Sequence, residues 1–352
     1  MLTTPLPIRI ISIALILGLL SISQAFPASQ KIANLIAEPP DVMVGPTVIK
    51  VGVWLVDIDS IDSAAQSFVA NVFIRISWQD KRLAHKDRSA RMFKLVDVWS
   101  PGVQIVNEIG RVRKTLPEVV QVKNDGTVIY RQRYVGSFSQ PLRLHDFPFD
   151  EQLFRLHFIQ TGKDDKNIEF IQDDELIAAG MIQAAGISKE ISLPDWAVKS
   201  YTAGPLLYEI NTKLKVPGYA FDFIAKRDSK YYIYKMIMPL VLIVFMSWAV
   251  FWINPKEAGT QIGISTASML TLIAYRFTVD LLVPKVSYMT RLDEFILGST
   301  FLVFLSLLQV ILTSFLMRHG KEALSLRVDL LSRFVFPVLF AFVVIISFSI
   351  KG

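Results

Sequence analysis

Residues 262–283 read IGISTASMLTLIAYRFTVDLLV, a stretch long enough at the helical rise to cross a bilayer core. It nevertheless carries Ser265, Thr266, Ser268, Thr271, Arg276, Thr278 and Asp280. Ionisable groups at membrane depth are costly, so such a helix faces protein or water rather than lipid. Three more apolar segments accompany it, at about 233–253, 294–317 and 334–350. Everything before them has the period-2 pattern of strands. A β domain feeding four spans, one of them semi-polar, points to a gated pore.

The polar interruptions matter because the rest of the membrane part is greasy. The 52% hydrophobic share of the 352 residues lies mostly in the C-terminal third, as in a membrane protein rather than a large soluble core. The net charge of +6 is modest and the Lys and Arg are scattered, which argues against nucleic acid as a partner. The chain has no cysteine, so disulfides, thiolate catalysis and zinc–thiolate sites are excluded together. No nucleophile elbow, phosphate loop or His/Glu pair at metal-ligand spacing is present, so no enzyme, cofactor or metal is expected.

Three domains follow. Arg9, the apolar run 10–20 and the small-x-small Ser23-Gln24-Ala25 read as a signal peptide over 1–25. Residues 26–230 read as an extracellular β domain, and 231–352 as the transmembrane domain. The link between the third and fourth spans holds Arg318, Lys321, Arg327 and Arg333 against Glu322 and Asp329, which makes it cytoplasmic by the positive-inside rule. An even number of spans then returns the C-terminus to the side of the β domain.

Within the β domain, Val72, Ile74, Ile76 and Trp78 share one face of a strand, with Asn71, Arg75 and Ser77 on the other. Phe73 breaks the pattern by standing on the polar face. Asp125-Gly126 is a hairpin turn. KDDKN (163–167) and QDDE (172–175) read as solvated loops, and DIDSID (57–62) as an acidic turn, since it lacks the glycine of a calcium loop. Repeated short strands of this kind make a β-sandwich.

Four features in order, Trp78-Gln79-Asp80, VWSPGVQIVN (98–107), HDFPFDEQ (145–152) and the four spans with SWAVFW and VPKVSY, resemble the pentameric ligand-gated ion channels. The likeness covers roughly residues 45 to 350. In animal members two cysteines close the loop around FPFD. Gln140 and Phe154 stand in those places here, which is similar to the bacterial branch. The resemblance implies an immunoglobulin-like sandwich over four helices, five identical subunits in a ring, inorganic ions as the permeating species, and a bacterial inner membrane with the β domain on the periplasmic or extracellular side.

A gap-free match to the family pattern from Trp252 to Pro284 implies that Gly263, Ala267, Leu270, Ala274, Phe277 and Leu281 line the pore. A rival polar stripe, Glu257, Gln261, Ser265 and Ser268, also has helical spacing, and the two cannot both face one pore. Asp280 and Glu257 would form acidic rings favouring cations, whereas the length of the INPKEAGTQ loop matches anion-channel relatives. The resemblance further implies that Asp150 pairs with Arg227 and that Asp62 joins them. Pro148, Phe149, Pro284, Lys285 and Tyr288 would make the contact between sandwich and membrane. For the agonist, Phe73, Tyr201, Tyr208 and Tyr219 are the candidate aromatic residues for a small amine. Protons are the alternative, through acidic residues and His85, His145 or His157.

Overall fold

The computed structural model describes residues 39–40, 45–161, 168–178 and 184–349. The signal-peptide reading and the KDDKN segment therefore lie outside the described residues.

Strands β1 (Thr47–Asp62), β2 (Ser67–Gln79), β3 (Arg91–Lys94), β4 (Val103–Ile105), β5 (Glu108–Lys114), β6 (Val119–Val122), β7 (Thr127–Ser139), β8 (Glu151–Gln160), β9 (Ile168–Gln172), β10 (Ala185–Ile187), β11 (Trp196–Asn211) and β12 (Leu214–Arg227) form two sheets. One runs β10-β1-β2-β7-β6-β3, with β5 on β7 and β9 on β1; the other runs β11-β12-β8-β4. The sheets share a sandwich core because each long strand turns alternate side chains inward. On β2 these are Val72, Ile74, Ile76 and Trp78, on β8 Phe154, Leu156 and Phe158, and on β12 Phe221 and Phe223, all buried. Asp125-Gly126 makes the β6–β7 turn. Gly126 has φ +86°, and a side chain there would meet the Asp80 carbonyl at 2.5 Å.

Among the described residues, four helices long and apolar enough to cross a membrane follow. They are α1 (Lys230–Trp252), α2 (Ala258–Asp280), α3 (Arg291–Arg318) and α4 (Glu322–Ser349). The fourth begins three turns before the apolar run that marks it in the sequence. The α3–α4 link shrinks to His319–Lys321, with Gly320 turning the chain at φ +75°. Arg327, Asp329 and Arg333 thus lie on α4 rather than in a loop, and Asp329 is buried. DIDSID is the end of β1, and Asp57 ties that strand to the segment before β11. Its carboxylate accepts from Ser192 N (2.7 Å) and Ile58 N (2.9 Å), and the Ser192 bond holds it below the usual carboxylate range.

Phe68 joins the two sheets, its ring 5.5 Å from Phe138, 5.3 Å from Phe154 and 6.0 Å from Phe223. Phe68→Ala would leave a cavity at this junction and is expected to cost about 3–5 kcal/mol, read as a lowered thermal midpoint of the purified protein. A loss below about 1 kcal/mol would show that the sheets are not joined there.

Candidate functional site: the sandwich–membrane junction and the second helix

β12 runs out at Arg227 and the chain enters α1 three residues later, so Arg227 marks the point where sheet becomes membrane helix. Its guanidinium grips Asp150 with both oxygens, Nε to Oδ1 at 2.7 Å and Nη2 to Oδ2 at 3.1 Å, while Arg227 N donates to Asp150 O at 3.1 Å. Both side chains are almost fully buried. The guanidinium carbon lies 4.1 Å from the Trp196 ring centroid and 4.9 Å from that of Phe147. The aromatic faces compensate part of its lost hydration. Gln152 Nε2 donates to Asp150 Oδ2 at 2.6 Å, so the carboxylate is satisfied as well.

Asp62 is not in this cluster, contrary to the family-based expectation. It is exposed, and its Oδ1 accepts from Ala64 N (2.9 Å) and Ala65 N (2.8 Å), closing the turn between β1 and β2. The neighbouring Ser63 takes the place instead, its hydroxyl accepting from Arg227 Nη2 at 3.0 Å.

The HDFPFD loop sits on the start of α3 as a helix cap. Thr290 and Asp293 form a capping box. Two of the amides left over find loop carbonyls, Arg291 N to His145 O at 3.0 Å and Leu292 N to Phe147 O at 3.3 Å. Arg291 Nε also bonds Asp146 Oδ1 (2.7 Å), and its Nη1 bonds Phe348 O near the end of α4 (2.7 Å). Tyr288 stacks on His145 at 3.9 Å and its hydroxyl accepts from Leu144 N at 2.9 Å. Phe149 meets Phe348 edge-on at 5.5 Å, and Pro148 is buried. Pro284 is half-buried and Lys285 exposed, and no hydrogen bond or ion pair among the described residues joins either to the loop. Gln140 Oε1 accepts from Arg155 N at 3.0 Å, so a hydrogen bond crosses the base of the loop near the place a disulfide would close it.

α2 has two unlike faces. Gln261, Ser265, Ser268, Leu272 and Val279 are buried against their own subunit. Gly263, Ala267, Leu270, Ala274 and Phe277 are all exposed, as is Leu281 just past the helix end. The rival stripe beyond Glu257 is therefore packed inside the subunit. Glu257 and Asp280 are exposed at opposite ends of the helix.

The aromatic candidates do not converge within the chain. Phe73 is half-buried on β2 beside a cavity of about 320 Å³, lined also by Trp54, Arg75 and Leu176. Tyr201 stacks on Phe221 at 6.0 Å, and Tyr208 meets His157 edge-on at 6.1 Å, both on the other sheet. Tyr219 is a core residue with no exposed surface and cannot touch a ligand; burial pushes its phenol up to about 12. QDDE is not a solvated loop either. Asp173 is fully buried against Arg75, while Glu175 bonds both Arg75 Nη2 (2.7 Å) and Lys123 Nζ (3.1 Å). Lys123 first, with Arg75, holds Glu175 below the usual carboxylate range. Its ionisation therefore favours the folded state above about pH 4, and that contribution is lost only as pH falls through the lowered value.

Residues 35–212 match the family model for the neurotransmitter-gated ion-channel ligand binding domain, and residues 236–325 that for the transmembrane region. The chain belongs to the neurotransmitter-gated ion-channel family. A proton-gated ion channel of Gloeobacter violaceus (strain ATCC 29082 / PCC 7421) is 27% identical over 328 residues, 91% of this chain and 88% of that protein. This member of a ligand-gated ion-channel family is thus a multi-pass membrane protein and not an enzyme, from a family that works as pentamers.

Sequence reading missed Ser63, Asp146 and Arg291. Thr290-x-x-Asp293, a capping box, signals the start of α3 at Arg291, but no local pattern reports its distant partner Asp146. Arg227→Met strands a buried carboxylate and is expected to cost about 3–5 kcal/mol and abolish agonist-evoked current. Asp62→Ala removes only the two turn bonds from Ala64 N and Ala65 N and should cost about 1 kcal/mol with gating retained, checked by thermal midpoint and recording side by side. Equal loss in both variants would contradict the assignment of Ser63 over Asp62.

Proposed function

We propose that five identical subunits close a ring in a bacterial inner membrane and that α2 of each lines a single axial pore through Gly263, Ala267, Leu270, Ala274, Phe277 and Leu281. The observation that carries this is the two-faced α2. Gln261, Ser265 and Ser268 are consumed inside the subunit, while a line of small and apolar residues, with Thr266, Thr271, Arg276 and Thr278 beside it, stays exposed. A repeated head-to-tail contact that closes gives a ring with that line on the axis. Rings of Leu270 and Phe277 form an apolar constriction able to shut by dewetting.

The β domain lies on the periplasmic or extracellular side. The export-signal pattern at the N-terminus supports this, as do Arg318 and Lys321 at the opposite end of the bundle. Lipid covers exposed apolar side chains such as Leu242, Phe245, Phe301 and Phe342. Asp150 with Arg227, and the loop carrying Pro148 and Phe149 on Arg291 and Tyr288, carry the motion of the sandwich to α3 and so to α2; Pro284 and Lys285 lie on the α2–α3 link that this motion must move.

The channel passes cations, attracted by Asp280 outside and Glu257 inside. Lys256, which would blunt the inner ring, is engaged by Glu322 at 2.6 Å. Protons are the agonist. The proton-gated relative supports this, and so does the burial of Tyr219, which leaves Phe73, Tyr201 and Tyr208 too few for an aromatic cage. A small amine held by those three is the second reading, favoured by the cavity beside Phe73.

The test is a recording from purified protein in liposomes across an asymmetric sodium chloride gradient, with acid steps and then small amines. Current evoked by acid and reversing near the sodium potential is expected. Reversal near the chloride potential would overturn the cation assignment, and current evoked only by amines would replace the proton. Leu270→Ala should loosen the constriction and lower the proton concentration for half-activation about tenfold, close to 1.4 kcal/mol. An unchanged activation curve would remove Leu270 from the gate.

A further inference from the structure

The polar stripe that α2 turns inward meets one carboxylate. Gln261 Nε2 donates to Ile253 O at 2.9 Å and to Asp329 Oδ2 at 3.3 Å, and lies 3.5 Å from Val250 O. Asp329, on α4 and 1% exposed, accepts through its other oxygen from Gln309 Nε2 of α3 at 2.6 Å. A single side chain therefore holds α2, α3 and α4 together at the inner end of the bundle, and Gln261 adds the last turn of α1.

The cation one turn along α4 is committed elsewhere. Arg333 Nε donates to Phe251 O at 2.9 Å and its guanidinium lies 4.9 Å from the Trp252 ring, while Trp248 Nε1 donates to Arg333 O at 3.0 Å. Among the described residues Asp329 makes no ion pair, and its hydrogen-bond donors are two amides. The oxygens of those amides, Gln261 Oε1 and Gln309 Oε1, have no partner. Such a site is held by geometry, since two neutral donors must stay in place for the carboxylate to remain satisfied. Around it α4 shows apolar side chains outward, among them Leu330, Leu331 and Phe334, so Asp329 is its polar link to α2.

We propose that Asp329 is a positioning residue for the gate: it anchors the inner end of α2 through Gln261, so that the seating of α4 sets how readily the pore opens. This rests on the reading of α2 as the pore helix. Breaking the anchor would free the inner turns of α2 without touching Gly263, Leu270 or either acidic ring. Permeation should stay as it is while the opening equilibrium moves.

The experiment is single-channel and macroscopic recording of the full-length protein in liposomes under acid steps. Asp329→Leu, Gln261→Leu and the double variant are compared with Asp329→Asn. The asparagine can still accept from one glutamine, and its NH2 can fill the free oxygen of the other. Each leucine variant is expected to shift half-activation at least about tenfold, with unit conductance and reversal potential unchanged. The double variant should shift about as much as either single one, and the asparagine should stay within about threefold of wild type. Should Asp329→Leu fail to reach the membrane, Gln261→Leu and Gln309→Leu carry the same expectation. A conducting wild type whose leucine variants all activate within threefold of it would overturn this inference alone, as would fully additive shifts. A wild type silent under every condition would overturn the pore reading, and this inference with it.

Discussion

The buried pair of Arg227 and Asp150 is the constraint on which the rest of this molecule depends. A charged pair out of water is stable only when both partners are fully met, and here each is. Asp150 receives two guanidinium bonds and one from Gln152, and Arg227 adds Ser63 and a wall of aromatic faces. The pair fixes three things at once: where β12 ends, where the loop after β7 must sit, and how α1 enters the membrane. With the loop so held, its carbonyls lie where the bare amides of α3 need them. The sandwich and the helical bundle are thereby joined through backbone as well as side chains, and a shift of one cannot leave the other in place.

Beyond that junction, the division of labour on α2 follows from solvation. A membrane-depth helix with serines, threonines and a glutamine has to place them somewhere other than lipid. The structure places Gln261, Ser265 and Ser268 inside the subunit, with the Ser268 hydroxyl donating back to Ile264 O at 2.9 Å and Gln261 held by Asp329. What remains outward is a line of small and apolar residues, with Thr266, Thr271, Arg276 and Thr278 exposed beside it. Gln261, Ser265 and Ser268 position the helix from inside, while the threonines and Arg276 stay on its exposed side with the apolar line.

Much of this was legible in the sequence. The alternation on β2 and β8 gave the sandwich, the apolar runs gave the spans, and the FPFD segment with Arg227 gave the junction. The misreadings have particular causes. Tyr219 shares strand parity with Phe221 and Phe223, so its burial is readable from the spacing, whereas the family pattern offers it as a ligand-site aromatic. Asp62 is next to the right position, but a carboxylate in a tight turn is satisfied by its own backbone before it can reach a partner. Asp173 looked solvated because its neighbours are acidic, whereas its partner Arg75 lies about a hundred residues earlier on β2, a separation no local pattern reports. Asp329 lay outside the apolar run that marked the fourth span, since hydropathy alone ends a helix where charges begin. Which of two stripes on α2 faced inward could not be decided by period, because both have it; only the partners on α1, α3 and α4 decide.

The chain has no cysteine, so each introduced thiol is the only one present. The most direct test of the account is therefore single-cysteine accessibility along α2 during agonist-evoked current. With a charged, water-soluble thiol reagent, cysteines at Gly263, Ala267, Leu270, Ala274 and Phe277 should react and block or alter the current. Cysteines at Gln261, Ser265 and Ser268 should not. Reaction at the second set with the first set silent would contradict the assignment of the pore face, and with it the central claim that the polar stripe of α2 serves the inside of the subunit.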